Sequence, residues 1–211
     1  MCALDTGRAG GKQVTIRHIP ASESQAAVSV LASAFLDDPL TVWSSPDADV
    51  RREFNHSLEA INVRCAIQRG HAYEMTDGSA VALWVSPGVE LLDEAAIGEV
   101  AEIIRSADPA RASFVFEGFL KILAAQPKEP HFHLTDIGVA PEAQGRGLGS
   151  RLLRDGLDHC DRYGCPAYLE ATSTASAALY RRHGFEVVQE IELPDGPTLF
   201  GMWRKAGSGS P

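Results

Sequence analysis

The chain has 211 residues, 45% hydrophobic and 22% charged, a balance that suits one globular domain with a core of full size. Its 28 acidic and 19 basic side chains leave a formal net charge of -9, the wrong sign for a surface that meets nucleic-acid phosphates. No apolar run approaches the roughly 20 residues of a membrane span, so neither nucleic acid nor membrane is expected as a partner.

Met1 to Lys12 is rich in glycine and small residues and lacks the apolar stretch of a signal peptide. It predicts a disordered leader over 1–12, one domain over 13–205 and a disordered tail over 206–211. Cys2, Cys65, Cys160 and Cys165 form no CxxC pair, so reduced thiols, no metal and a cytoplasmic location are expected.

Val14 to His18 is β-branched and predicts a first strand. Ser22 and Glu23 open a helix with apolar positions Ala26, Ala27, Val30, Leu31, Ala34 and Phe35, which Asp37, Asp38 and Pro39 end. A second helix spans Val50 to Arg69 on the stripe Phe54, Leu58, Ile61 and Cys65, with Gly70 as its stop. His71 to Met75 and Ala80 to Val85 predict strands joined at Asp77-Gly78, a hairpin signal. Leu91 to Arg105 and Ala110 to Ala125 predict helices divided at Asp108-Pro109, and Pro127 and Pro130 bracket a stiff connector.

A strand over His133 to Val139 follows, then a helix from Gly147 to Tyr163. A strand at Ala167 to Ala171 and a helix at Ala175 to His183 come next. Strands at Phe185 to Leu193 and Thr198 to Arg204, joined by the turn Asp195-Gly196-Pro197, complete the chain. This order predicts an α/β or α+β domain on a mixed sheet.

Gln144-Gly145-Arg146-Gly147-Leu148-Gly149-Ser150 is the most informative stretch, because three glycines at alternate positions open a helix. Without Cβ atoms their N–H groups converge on one concavity, and the helix start adds partial positive charge. A pyrophosphate fits there. The run lacks the lysine of a P-loop, and Ser150 stands where a dinucleotide fingerprint needs glycine. Arg146, Arg151 and Arg154 are candidate anion partners in an otherwise acidic chain. The loop alone leaves the nucleotide open.

Asp136-Ile137-Gly138-Val139-Ala140-Pro141, followed by Gln144 to Gly149, resembles the acetyl-CoA motif of the GNAT superfamily of N-acetyltransferases. A second motif of that family is matched by Tyr168-Leu169-Glu170-Ala171 and by Leu179-Tyr180-Arg181-Arg182-His183-Gly184-Phe185. The resemblance covers Leu134 to Val188. Ala80 to Trp84, Pro127 to Pro130, Gly145 to Ser150 and Leu193 to Pro197 are similar to the puromycin N-acetyltransferases and their relatives.

The resemblance implies a single GNAT-type domain with a mixed, mostly antiparallel sheet of about seven strands, splayed after the fourth and flanked by helices. It implies acetyl-CoA (coenzyme A) as cofactor and direct attack of a primary amine on the thioester in a ternary complex. The acceptor expected is a small molecule, such as an aminonucleoside-type antibiotic, and the protein a monomer or homodimer. The cofactor contacts implied are Ile137, Gly138, Val139, Gln144, Gly145, Arg146, Gly147, Leu148, Gly149, Ser150, Ser176 and Tyr180. Ser176 stands where many members have asparagine. Backbone groups of Ile137 and Val139 pair with the pantetheine in this reading.

Tyr180 matches the family's general-acid tyrosine. For the base, plain strand alternation puts His133, Thr135, Ile137 and Val139 on one face, which makes His133 a candidate. Glu170 is its rival, and His131 comes third. Phe35, Asp38, Trp43, Trp84, Glu90 and Phe119 are candidates for the acceptor pocket, where aromatic faces and a carboxylate suit a flat cation. A non-catalytic acetyl-CoA sensor and a protein N-terminal acetyltransferase remain the alternatives.

Overall fold

The computed structural model describes residues 14–69 and 71–207. The expected leader, the helix stop at Gly70 and the last four residues of the expected tail lie outside them. In chain order the elements are β1 (Ile16–His18), α1 (Ser24–Ala34), α2 (Pro39–Ser44), α3 (Ala48–Gln68), β2 (Ala72–Met75) and β3 (Ala80–Val85). Then come α4 (Glu94–Ala107), α5 (Ala112–Ala124), β4 (Phe132–Val139), α6 (Leu148–Arg162), β5 (Ala167–Ala171), α7 (Thr174–Arg181), β6 (Glu186–Glu192) and β7 (Thr198–Arg204).

Helix α2 departs from the sequence reading, which took Asp37-Asp38-Pro39 only as a terminator. The Asp38 side chain accepts from the Leu40 N–H at 2.9 Å and Pro39 occupies the first turn, so the residues that end α1 also start α2. This fixes the Asp38 carboxyl at the edge of the site described below.

The strands form one sheet in the order β1-β2-β3-β4-β5-β7-β6. All neighbours are antiparallel except β4 and β5, which run parallel. Those two pair only at Phe132↔Ala167 and His133↔Tyr168, then diverge. The splay after the fourth strand is therefore present, and it leaves the end of β4 without a neighbour on one side.

The register of β4 against β3 shifts midway: Trp84 faces Leu134, whereas Leu83 faces Asp136. Thr135 is the extra residue of a β-bulge, and its hydroxyl donates to the Leu83 carbonyl at 3.2 Å. A one-residue insertion reverses every later side chain. Leu134, Ile137 and Val139 thus share the face of Trp84, Ala82 and Ala80, while His133, Asp136 and Gly138 share that of Val85, Leu83 and Val81. The expectation that His133 and Ile137 lie on one face is corrected by this bulge.

Helices cover both faces. On one, Leu152, Leu153 and Leu157 of α6 pack on Trp84, Leu134 and Leu169. A Cβ on Gly156 would come within 2.6 Å of the Trp84 ring, so the indole lies directly under bare helix backbone. Trp84 is a core residue 4% exposed, not the pocket residue expected of it. On the other face Leu31 of α1 and Val63 of α3 bury Val81 and Leu83. Gly138 admits Leu31, since a Cβ there would meet its Cδ2 at 2.9 Å. A third cluster joins α2, α4 and α5 around Trp43, whose Nε1 donates to the Pro194 carbonyl at 3.0 Å.

Candidate active site

A cavity of about 440 Å³ passes through the sheet where β4 and β5 part. One end is lined by Gly149 and Leu153 of α6 and by Ser176, Leu179 and Tyr180 of α7. The other reaches Phe35, Asp38 and Trp43, the α3 residues Asn55, Leu58, Glu59 and Asn62, and Phe119 and Ile122 of α5. Thr135, Asp136, Ile137, Val139 and Glu170 line the passage between them. The Thr172 hydroxyl donates to Asp38 Oδ2 at 2.5 Å, tying the end of β5 to the α1–α2 turn.

At the first end, Gly145 and Gly147 take φ of 74° and 76°, left-handed values that L side chains rarely adopt, and a Cβ on either would enter open space. Gly149 follows in the first turn of α6, where an added Cβ would touch Val139 Cγ2 at 3.4 Å. The first-turn N–H groups of α6 lack intrahelical acceptors and carry the positive end of its dipole. Gln144 Nε2 donates to the Val139 carbonyl at 3.3 Å and ties loop to strand. Two of the expected basic partners turn elsewhere: Arg151 donates to the Val14 carbonyl at 2.8 Å, and Arg154 to Ser150 O at 3.2 Å. Arg146 stays exposed in the loop. His183 Nε2 lies 3.3 Å from the Ser150 hydroxyl.

The Ala140 N–H donates to Ser79 O at 2.9 Å, toward β3. Backbone groups point to opposite sides at successive strand residues, so those of Val139 and Ile137 point away from β3, into the gap. Tyr180 packs edge-on against Phe185, with ring centroids 6.0 Å apart. Burial is the largest cause that raises its pKa above that of an ordinary phenol, with the charges of Asp136 and Asp38 adding to it. The Ser176 hydroxyl is engaged in the N-terminal capping box of α7, donating to Ser173 O at 3.0 Å.

At the passage His133 Nε2 and Glu170 Oε2 are 2.8 Å apart, so the two rival bases form one pair. The other oxygen, Glu170 Oε1, is buried with no hydrogen-bond partner among the described residues. Burial pushes Asp136 up to about 6, against the opposing effects of the Thr135 hydrogen bond and His133. Glu59 is buried on α3 and its pKa is raised well above the ordinary carboxylate value, chiefly by desolvation and then by Asp136. Asp38 is raised too, again by burial. Four carboxylates therefore line one cavity, and no lysine or arginine does among the described residues.

The acetyltransferase (GNAT) family model matches residues 101–185, which include β4, the glycine loop and Tyr180. The fold of the chain is that of a GNAT acetyltransferase domain. An uncharacterized N-acetyltransferase of Schizosaccharomyces pombe is 26% identical over 189 residues, 84% of this chain and 76% of that protein. A crystal structure from Corynebacterium glutamicum, described as histone acetyltransferase HPA2 and related acetyltransferase, is 26% identical with a TM-score of 0.70. That match covers 94% of this chain and 98% of the other. A shorter likeness, 46% over 68 residues, links 31% of this chain to 21% of the mycothiol acetyltransferase of Pseudarthrobacter chlorophenolicus.

The cavity gathers Tyr180, Glu170, Phe35, Asp38, Trp43 and Phe119 of the residues named from sequence, and His133 joins through its bond to Glu170. It does not gather Trp84, Glu90 or His131. Glu90 sits in the exposed loop after β3, its carbonyl accepting from Arg69 Nε at 2.7 Å. His131 Nδ1 lies 2.6 Å from Glu129 O, with its ring against Tyr168 and Trp203. The sequence reading missed Asp136 and Glu59. Asp136 was assigned to the wrong face because the bulge is silent in the residue pattern. Glu59 did leave a signal: Asn55, Glu59 and Asn62 fall at i, i+4 and i+7, a polar line beside the apolar stripe of α3.

Proposed function

We propose that this GNAT domain transfers acetyl from acetyl-CoA to the primary amine of a small cationic molecule, both bound at once. One observation carries the reading: a single cavity runs from Gly149, in the first turn of α6 after the glycine loop, to a chamber of apolar walls and carboxylates. The residues present fit coenzyme A at the loop end, because the Cβ-free space over Gly145 and Gly147 leaves room for a diphosphate against the start of α6.

In this reading the N–H groups of Gly145, Gly147, Gly149 and Ser150 hold the pyrophosphate, and the free backbone edge at Ile137 and Val139 holds the pantetheine. Acetyl-CoA, when bound, supplies an acyl group activated as a thioester. The Val139 N–H stabilises negative charge at the acyl oxygen. The His133–Glu170 pair takes a proton from the ammonium of the acceptor, freeing the lone pair that attacks. Tyr180 keeps its phenolic proton at neutral pH, as its raised pKa requires, and gives it to the departing sulfur. Phe35, Trp43 and Phe119 support an acceptor that carries a flat ring, of which an aminonucleoside-type antibiotic is one example.

The test is thiol release from acetyl-CoA across a panel of small amines and short peptides. Stimulation by small amines is the expected result. Tight acetyl-CoA binding with no stimulated release would leave the sensor reading. Release with peptides alone would leave the N-terminal acetyltransferase reading.

A further inference from the structure

Glu59 has no part in the chemistry just described, yet it is the most deeply buried carboxylate in the cavity. It is 5% exposed, and its Oε2 is buried with no hydrogen-bond partner among the described residues. A buried polar atom left in this way needs a compensating partner. Asn62, one turn further along α3, is the neighbour that favours the charged carboxyl, against the larger effect of desolvation. The charged groups facing Glu59 from other elements, Asp136 of β4 and Asp38 of the α1–α2 turn, are both acidic. Asn55 donates its Nδ2 to the Ala32 carbonyl at 2.8 Å and makes no hydrogen bond to Oε2. Glu59 therefore faces the cavity with an acceptor atom that none of the described residues serves, at a place where like charges repel.

A second unpartnered carboxylate oxygen, Glu170 Oε1, lies at the strand gap. The two belong to different elements, α3 and β5, and line the same cavity. One cationic nitrogen at the gap serves Glu170 and leaves Glu59 unanswered.

We propose that Glu59 is a specificity-determining residue that binds a second cationic nitrogen of the acceptor, so that the preferred substrate is a diamine-type molecule. The proposal rests on the transfer reading above, which assigns the first nitrogen to the gap. The distal ammonium donates to Glu59 Oε2, with Asn62 holding the carboxyl in place, and the apolar lining of Leu58, Phe119 and Ile122 takes the methylene spacer.

The experiment measures steady-state acetyl transfer by the full chain to linear α,ω-diamines of three to six carbons. Each is compared with the n-alkyl monoamine of equal length. The expected result is a kcat/KM ratio of diamine to monoamine of about 10 or more at the best length, the size of one charge-assisted hydrogen bond. Glu59→Gln is expected to collapse that ratio toward one, mainly through the KM of the diamine. A wild-type ratio near one at every length overturns the proposal, as does a Glu59→Gln variant that keeps the wild-type ratio. If that variant does not fold, Asn62→Ala replaces it, with a smaller fall in the same ratio expected and an unchanged ratio counting against the proposal. If monoamines are acetylated as well as diamines, the transfer reading survives and only the second-cation proposal falls. If no amine is acetylated, both fall.

Discussion

The glycine loop, which leads into one end of the cavity at Gly149, and the carboxylate chamber at the other end are made differently. The loop offers backbone N–H groups from one short segment, Gly145 to Ser150, and needs little from side chains beyond their absence. The chamber offers side chains from α3, β4, β5 and the α1–α2 turn: Glu59, Asp136, Glu170 and Asp38. At the loop an exposed helix start meets an anion with little burial cost. At the chamber several carboxyls are held out of water, and burial raises the pKa of Asp38, Glu59 and Asp136. In the proposed reading the difference separates a general requirement, holding the cofactor, from a particular one, choosing the acceptor.

The largest effect expected tests whether Tyr180 belongs to the chemistry between the two ends. Tyr180→Phe should lower kcat by about 10²–10³ while the acetyl-CoA dissociation constant, measured by calorimetry, moves less than about threefold. Equal loss of both would reduce Tyr180 to a packing partner of Phe185.

Asp136→Asn tests the cost of the chamber. Asp136 is raised in the folded state from 3.8 to about 6, so the folded protein holds a proton that the unfolded chain releases. Wild-type stability therefore falls as pH rises from about 4 to about 6, and the full loss is present above that. The variant should be more stable by about 2–3 kcal/mol near pH 8 and lose that advantage near pH 4 in urea unfolding. An advantage independent of pH would show that Asp136 is not titrating in this window.

Gly147→Ala probes the loop. The left-handed φ of 76° costs an L residue about 1–2 kcal/mol, and the new Cβ enters the space left for the diphosphate. Acetyl-CoA affinity should fall about tenfold, with the diamine-to-monoamine ratio unchanged. A change in that ratio would mean that the two ends are not independent. The smallest effect is expected of Arg151→Ala, whose guanidinium is spent on the Val14 carbonyl. Acetyl-CoA affinity should change less than about threefold, and a larger loss that weakens in salt would restore Arg151 as an anion partner.

The glycine loop was legible because its requirements are local. Three glycines, a Pro141 that ends the strand and a helix start lie within a dozen residues, and the backbone conformation follows from them. The succession of strands and helices was legible from their patterning, and the splay after β4 from the family resemblance alone. Trp84 was not. An aromatic on an apolar strand reads alike whether it meets a ligand or a helix, and only the approach of Gly156 shows which. His133 and Glu170 were named as rivals, and their 2.8 Å contact makes them partners. Residues 37 positions apart carry no mark of a shared bond.

By itself the sequence determined the domain class, the glycine cradle and the tyrosine at its far side, because each depends on neighbours along the chain. Tertiary structure alone decided the carboxylate chamber. The bulge at Thr135 turned Asp136 to the face covered by α1 and α3, and the packing of α3 buried Glu59 against the same cavity. A register shift of one residue and the desolvation of a carboxyl are properties of packed surfaces, and neither is written in a run of neighbouring letters.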